Sequence, residues 1–136
     1  MTFLLALFLA FADVTAVKTE SNLEKRSDLA LEEANRAIDA ARAAYQAGDI
    51  KNAVANLNEV AESVQVSLDS LEKSGKEARR SKYFKNAEIK LRQMIRRLAG
   101  FRDEMSVEDR KPLDDAEARL QEVHDRLLSE IMSKKR

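Results

Sequence analysis

A regular spacing of apolar residues over positions 78–105 constrains the fold of this chain more than any other feature. The apolar residues recur at alternating intervals of three and four, which is typical of a coiled-coil-like seam along one side of a long helix. Gly100 could stop such a helix, but the seam continues past it, so we expect the helix to run on to about Asp103. The seam residues are Phe84, Ala87, Leu91, Met94, Leu98, Phe101 and Met105.

The rest of this helix is strongly basic. Positions 76–102 hold ten basic and two acidic residues, a local net charge of +8, whereas 17–73 and 106–133 each carry −4. A basic helix face with an interleaved aromatic residue is typical of polyanion contact, with nucleic acid, acidic lipid headgroups or cell-wall polymers as targets. The other interpretation is a solvated face that the other helices neutralise. The candidate contact residues are Arg79, Arg80, Lys82, Tyr83, Lys90, Arg96 and Arg97.

Two further helices are predicted before this one. The first begins near Ser21, because Ser21 and Glu24 have the S-x-x-E spacing of a capping box. Gly48 supplies the left-handed residue that ends a helix, and Asp49 can cap the next one. The second helix runs from about 50 to 73 and ends at Ser74-Gly75. Both carry an apolar stripe at helical spacing, so each needs partners to cover it.

The link before the last helix contains the only proline. Ser106 and Asp109 have near-capping-box spacing, and Pro112 disfavours helical geometry at Lys111. We therefore expect a short helical turn, a bend, and a fourth helix with Pro112 in its first turn. Four amphipathic helices joined by short connections predict an all-α fold, an antiparallel up-down-up-down four-helix bundle.

The N-terminus predicts export. Positions 3–12 read FLLALFLAFA, which is too short to span a bilayer but is typical of the apolar region of a secretory signal peptide. Small residues suit cleavage after either Ala12 or Ala16. We assign 1–16 to the signal peptide and 17–136 to the bundle domain, with no membrane span after cleavage. The chain has no cysteine, so a bacterial periplasm suits it better than disulfide-rich secretion.

The sequence offers few groups for catalysis. His124 is the only histidine, no cysteine nucleophile exists, and the three glycines lie singly. These facts argue against nucleophilic catalysis, di-iron sites and phosphate-binding glycine loops. We expect no enzyme, cofactor or metal, and we interpret His124 as a partly packed residue beside the seam of the fourth helix.

The first two helices resemble a tetratricopeptide-type helical hairpin over about 37–61. The matching residues are Ala41, Ala43, Tyr45, Gly48, Asp49, Ala53, Leu57 and Val60. Here the second helix continues for three more turns, past the point where that family usually has a proline, and no second copy follows. The resemblance implies a peptide- or protein-binding scaffold.

Together these features predict a non-enzymatic exported bundle that acts by protein–protein binding or self-association. The alternative is a polyanion-binding module that uses the basic helix at 76–102. Val66 and Ile89 lie off the apolar stripes, and a cluster of the two with Tyr83 would indicate a protein-binding patch.

Overall fold

The computed structural model describes residues 14–133 and is helical apart from its turns and links. Its four long helices are α1 (Leu23–Gln46), α2 (Ile50–Lys73), α3 (Lys82–Glu104) and α4 (Lys111–Met132). A short helical turn at Val14–Val17 precedes them. The all-α prediction is therefore confirmed. The signal peptide falls mostly on residues 1–13, outside the described part, and it stays a prediction, as does the antiparallel bundle arrangement.

The start of α1 corrects the predicted capping box. Asn22, and not Ser21, is the N-cap, and its side chain accepts a hydrogen bond of 3.0 Å from the Lys25 backbone N–H. The Asn22 N–H is itself bound by the Glu20 carboxylate at 3.0 Å. Asparagine and serine cap helices about equally well, so the preceding chain decides which one is used.

The α1–α2 turn confirms the sequence prediction. Gly48 has φ +80°, a backbone conformation that side chains other than glycine rarely adopt. Asp49 caps α2 by accepting a hydrogen bond of 3.2 Å from the Asn52 N–H. At the other end of α2, Ser74 and Gly75 form the predicted stop, with Gly75 at φ +71°.

Helix α3 begins later than predicted and ends as predicted. Residues 78–80 form a turn, and the Ser81 hydroxyl accepts a hydrogen bond of 3.2 Å from the Tyr83 N–H. A serine cap at 81 therefore overrides the basic, helix-forming residues before it. Gly100 stays within the helix, and all seven seam residues are buried, which confirms the seam.

The link between α3 and α4 contains the predicted short turn, a 3-10 helix at Val107–Asp109, and Pro112 lies in the first turn of α4. Ser106 makes no side-chain cap bond. Instead, the Tyr45 hydroxyl on α1 donates to Asp109 Oδ2 at 3.0 Å and accepts from the Ser106 N–H at 2.9 Å. The link is thus held by Tyr45, a residue 61 to 64 positions earlier in the sequence.

Alanines and serines line the buried contact between α1 and α2. The two helices form the most extensive contact in the described chain. Small side chains let helix axes approach closely, and the hydroxyls of Ser27 on α1 and Ser67 on α2 lie 2.7 Å apart in the core. The fully buried alanines of α1 are Ala30, Ala34, Ala37 and Ala41.

The two hairpins, α1/α2 and α3/α4, pack side by side. Helix α1 lies beside α2 and α3, and α4 lies beside α2 and α3. The α1–α3 contacts run in the same direction along both helices, from Arg97 against Asp39 to Glu104 against Arg42. Each helix therefore has one neighbour that is close in sequence and one that belongs to the other hairpin.

Candidate binding surfaces on helices α3 and α4

Two of the predicted contact residues lie in the turn before α3. Arg79 is exposed and lines a cavity of about 250 Å³ that Glu72, Phe84 and Glu130 also border. Arg80 is exposed, and its Nε lies 3.6 Å from Glu77 Oε2. Arg79 and Arg80 therefore lie outside α3, in the turn that precedes it, and are not part of one continuous helix face.

Lys82 and Tyr83 begin α3. The Lys82 Nζ lies 5.4 Å from the centroid of the Tyr83 ring, within the range of a cation–π contact. Both residues border a second cavity of about 300 Å³, together with Lys76, Glu77 and Arg80. The sequence-predicted residues 79–83 therefore meet around one end of the helices.

The remaining candidates divide between two sides of α3. Arg97 turns towards α1, where its guanidinium donates to Asn35 and Asp39. Arg96 is exposed and Lys90 is half-buried, and neither has an ion-pair partner among residues 14–133. Arg97 holds two helices together, whereas Arg96 faces solvent.

Neighbouring helices neutralise only part of the basic helix. Arg102 pairs with Asp114 of α4 at 2.8 Å, and Arg92 pairs with Glu88 one turn earlier at 2.8 Å. Within the described chain, no acidic partner accompanies six of the cations in and before α3. These are Lys76, Arg79, Lys82, Lys85, Lys90 and Arg96.

A partly buried ionic network joins the middle of α3 to α4. Glu88 Oε2 lies 2.7 Å from His124 Nε2, and Arg92 binds the same carboxylate with Nε at 2.8 Å and Nη2 at 2.9 Å. The Arg92 hydrogen bond lowers the pKa of Glu88, burial opposes that shift, and the bond to His124 adds to it. The carboxylate in turn raises the pKa of Arg92.

Sequence reasoning missed this network. The Glu88–Arg92 spacing of four residues could have indicated the intrahelical pair. His124 lies 36 positions from Glu88, and only the packing of α4 on α3 brings the two together. His124 is 9% exposed, as expected for a packed residue, but it also binds a carboxylate.

The suggested patch of Val66, Ile89 and Tyr83 does not form. Val66 is half-buried in a groove lined by Lys18 and Arg26, whereas Tyr83 borders the cavity at the start of α3. Ile89 is 43% exposed and lies elsewhere on α3. The three residues stay apart because the off-stripe sides of α2 and α3 do not meet: α2 contacts α4 far more extensively than α3.

Instead, Ile89 shares the outside of the α3/α4 hairpin with apolar residues of α4. Leu128 is 36% and Met132 70% exposed, and they lie one helical turn apart. The Glu88–His124 contact brings the adjacent residue Ile89 to the level of the turn that precedes Leu128. We call Lys85, Ile89, Arg96, Leu128 and Met132 the outer face.

The part of the chain that the structure describes contains no group of three or more histidine or acidic side chains arranged to hold a metal ion. None of the helices in residues 14–133 combines the length and apolarity needed to cross a bilayer. Comparison with known protein families, with curated proteins and with solved structures finds no match to this chain.

Proposed function

We propose that this chain is an exported, non-enzymatic helical-bundle protein that binds another protein through its outer face. Export is supported by the N-terminal pattern of residues 1–16. The bundle, up-down-up-down in direction, is supported by the short links and by the like-directed α1–α3 contacts. The tetratricopeptide-like spacing in α1 and α2 agrees with a scaffold role.

The exposed apolar side chains on the outer face carry this proposal. Ile89, Leu128 and Met132 are more than a third exposed, and water contact with such large apolar groups is unfavourable. Contiguous apolar surface with a polar rim is typical of a protein interaction site. By helical spacing, Lys85 and Arg96 lie on the same side of α3 as Ile89. Because neither cation has an acidic partner among the described residues, the surface fits a partner that combines apolar groups with carboxylates.

Site-specific crosslinking tests the location of the interface. A photoreactive amino acid replaces Ile89 in the full chain, expressed in an exporting bacterial host, and adducts are identified by mass spectrometry. The control carries the same group at Val107, which is 75% exposed in the link beyond the far end of α3. We expect adducts to one protein from position 89 and not from 107. Equal adducts from both positions would contradict the proposal, and an adduct to a second copy would identify self-association.

Substitution tests the energetic role of the same surface. Ile89→Ser combined with Leu128→Ser should weaken capture of the crosslinked protein at least tenfold, since each buried apolar anchor contributes about 1 kcal/mol or more at an interface. Val107→Ser should leave capture unchanged. Capture that resists the double substitution would remove the outer face as the binding site.

The unpaired cations support a second candidate, polyanion binding by the basic helix. Such binding falls steeply with salt because it releases counterions. Arg96→Gln combined with Arg79→Gln should weaken binding to polyphosphate and flatten its salt dependence. The control Lys51→Gln, at an exposed position of α2, should change neither the affinity nor its salt dependence. Salt-independent capture of a protein would reject this candidate. Because Arg97 binds α1, Arg97→Gln should reduce stability more than binding.

A further inference from the structure

The chain before α1 folds back onto the α1/α2 hairpin. Val14 in the Val14–Val17 turn is 2% exposed, and its backbone N–H donates to Glu59 Oε2 of α2 at 2.7 Å. Lys18 Nζ lies 3.1 Å from Glu62 Oε1, less than one turn further along α2. This segment is therefore attached to α2 by a backbone hydrogen bond and an ion pair, and the Val14 side chain is buried.

The end of the same segment is attached to α1. The Glu20 backbone carbonyl accepts a hydrogen bond of 2.8 Å from Arg26 Nε. With the Asn22 cap, this contact leads the chain directly into α1. Residues 14–22 thus form one continuous part of the folded body and not a leader that hangs from it.

This packing bears on the two possible cleavage sites. Cleavage after Ala16 would remove a core side chain, Val14, and its hydrogen bond to Glu59. Cleavage after Ala12 keeps both. The sequence agrees, because the residue two positions before the cleaved one is the smaller Ala10 for cleavage after Ala12, and Val14 for cleavage after Ala16.

We infer that a signal peptidase cleaves the bond between Ala12 and Asp13, so that the mature chain begins at Asp13. This inference rests on the proposed export. In the hydrolysis, water supplies a hydroxyl to the Ala12 carbonyl carbon, which becomes the leader's carboxylate, and a proton to the Asp13 nitrogen, which becomes the new amino terminus. The mature chain then keeps the buried Val14 and its hydrogen bond to Glu59.

Intact mass and N-terminal sequencing of the exported chain test this assignment. The full chain carries a C-terminal tag and is recovered from the periplasmic fraction of a bacterial host. We expect a chain that begins at Asp13. A chain that begins at Val17 would overturn the inference while leaving export in place, whereas a chain that keeps Met1 and is absent from the periplasm would overturn both.

Matched substitutions at the two sites provide the control. A large charged residue before the scissile bond prevents recognition of a small-residue site. Ala12→Arg should abolish the Asp13 terminus, and Ala16→Arg should leave it unchanged. The opposite pattern would assign cleavage to Ala16.

A stability measurement tests the packing of Val14 independently of processing. Val14→Ala in the exported chain should lower its Tm by several degrees, since it removes buried methyl groups. Val107→Ala, at an exposed position, should leave the Tm unchanged. An unchanged Tm for Val14→Ala would overturn the assignment of this segment to the folded body.

Discussion

Two buried serines on the same side of α2 differ in one respect, their hydrogen bonds. Ser67 Oγ lies 2.7 Å from Ser27 Oγ of α1, and both residues are at most 1% exposed. Ser63 lies one turn earlier and is 0% exposed, and its Oγ has no partner in the described structure. Replacing each by alanine tests what a buried hydroxyl contributes, because the two substitutions are chemically identical.

The expected effects have opposite signs. Ser67→Ala leaves the Ser27 hydroxyl buried without a partner, which costs about 1–3 kcal/mol. Ser63→Ala removes a buried polar group that has no hydrogen bond, so it should stabilise the fold by about 1 kcal/mol. The gain in helix propensity, up to about 0.5 kcal/mol, is the same for both. The two variants should therefore differ by about 2–4 kcal/mol in free energy of unfolding.

Urea denaturation followed by circular dichroism measures this difference, provided that the slope m stays unchanged. The double variant Ser27→Ala with Ser67→Ala should return close to wild-type stability, because it removes both partners at once. Equal destabilisation by Ser63→Ala and Ser67→Ala would refute the reasoning. So would a double variant whose loss is the sum of the two single losses.

Three further perturbations test other parts of the fold. Gly48→Ala, at φ +80°, should lower the free energy of unfolding by about 1–2 kcal/mol, whereas Gly100→Ala within α3 should raise it by about 0.5–1 kcal/mol. Changes of the same sign for both variants in urea denaturation would contradict this. Arg92 and His124 hold the pKa of Glu88 below its usual 4.5, so stability from the Glu88 carboxylate is present above that pH and lost as the pH falls through the lowered pKa. Unfolding free energies measured between pH 6 and about pH 3 should therefore decline more for the wild type than for Glu88→Gln, and parallel curves would contradict this. Tyr45→Phe removes the hydroxyl that binds Asp109 and the Ser106 N–H, so it should lower the free energy of unfolding by about 1 kcal/mol. An unchanged rate of hydrogen exchange at the Ser106 amide would contradict this prediction.

The apolar pattern predicted the core correctly, because helical periodicity is a local property of the sequence. The whole α3 seam is buried, and the turns at Gly48 and Gly75 lie where glycine was expected. The starts of α1 and α3 were wrong by a few residues. Several cap-forming residues compete at those points, and contacts such as Glu20 with the Asn22 N–H select one of them.

The candidate surfaces were harder to predict, because they depend on which helices become neighbours. Charge alone grouped Arg96 with Arg97, but α1 binds Arg97 and leaves Arg96 in solvent. The Glu88–His124 contact and the nearby exposed apolar residues Ile89 and Leu128 follow from the register of α4 on α3. A single sequence gives no measure of that register.

The pairing of the two hairpins has a consequence for how the chain folds. Each hairpin closes through a link of a few residues, at 47–49 and 105–110, so its internal contacts form at little cost in loop-closure entropy. The exposed link at 74–81 is the longest between the long helices and the only one that joins the two hairpins. A chain cut there would give two helical halves, each with an apolar side that only the other half covers. Folding would then become a bimolecular reaction whose rate rises with the concentration of each half.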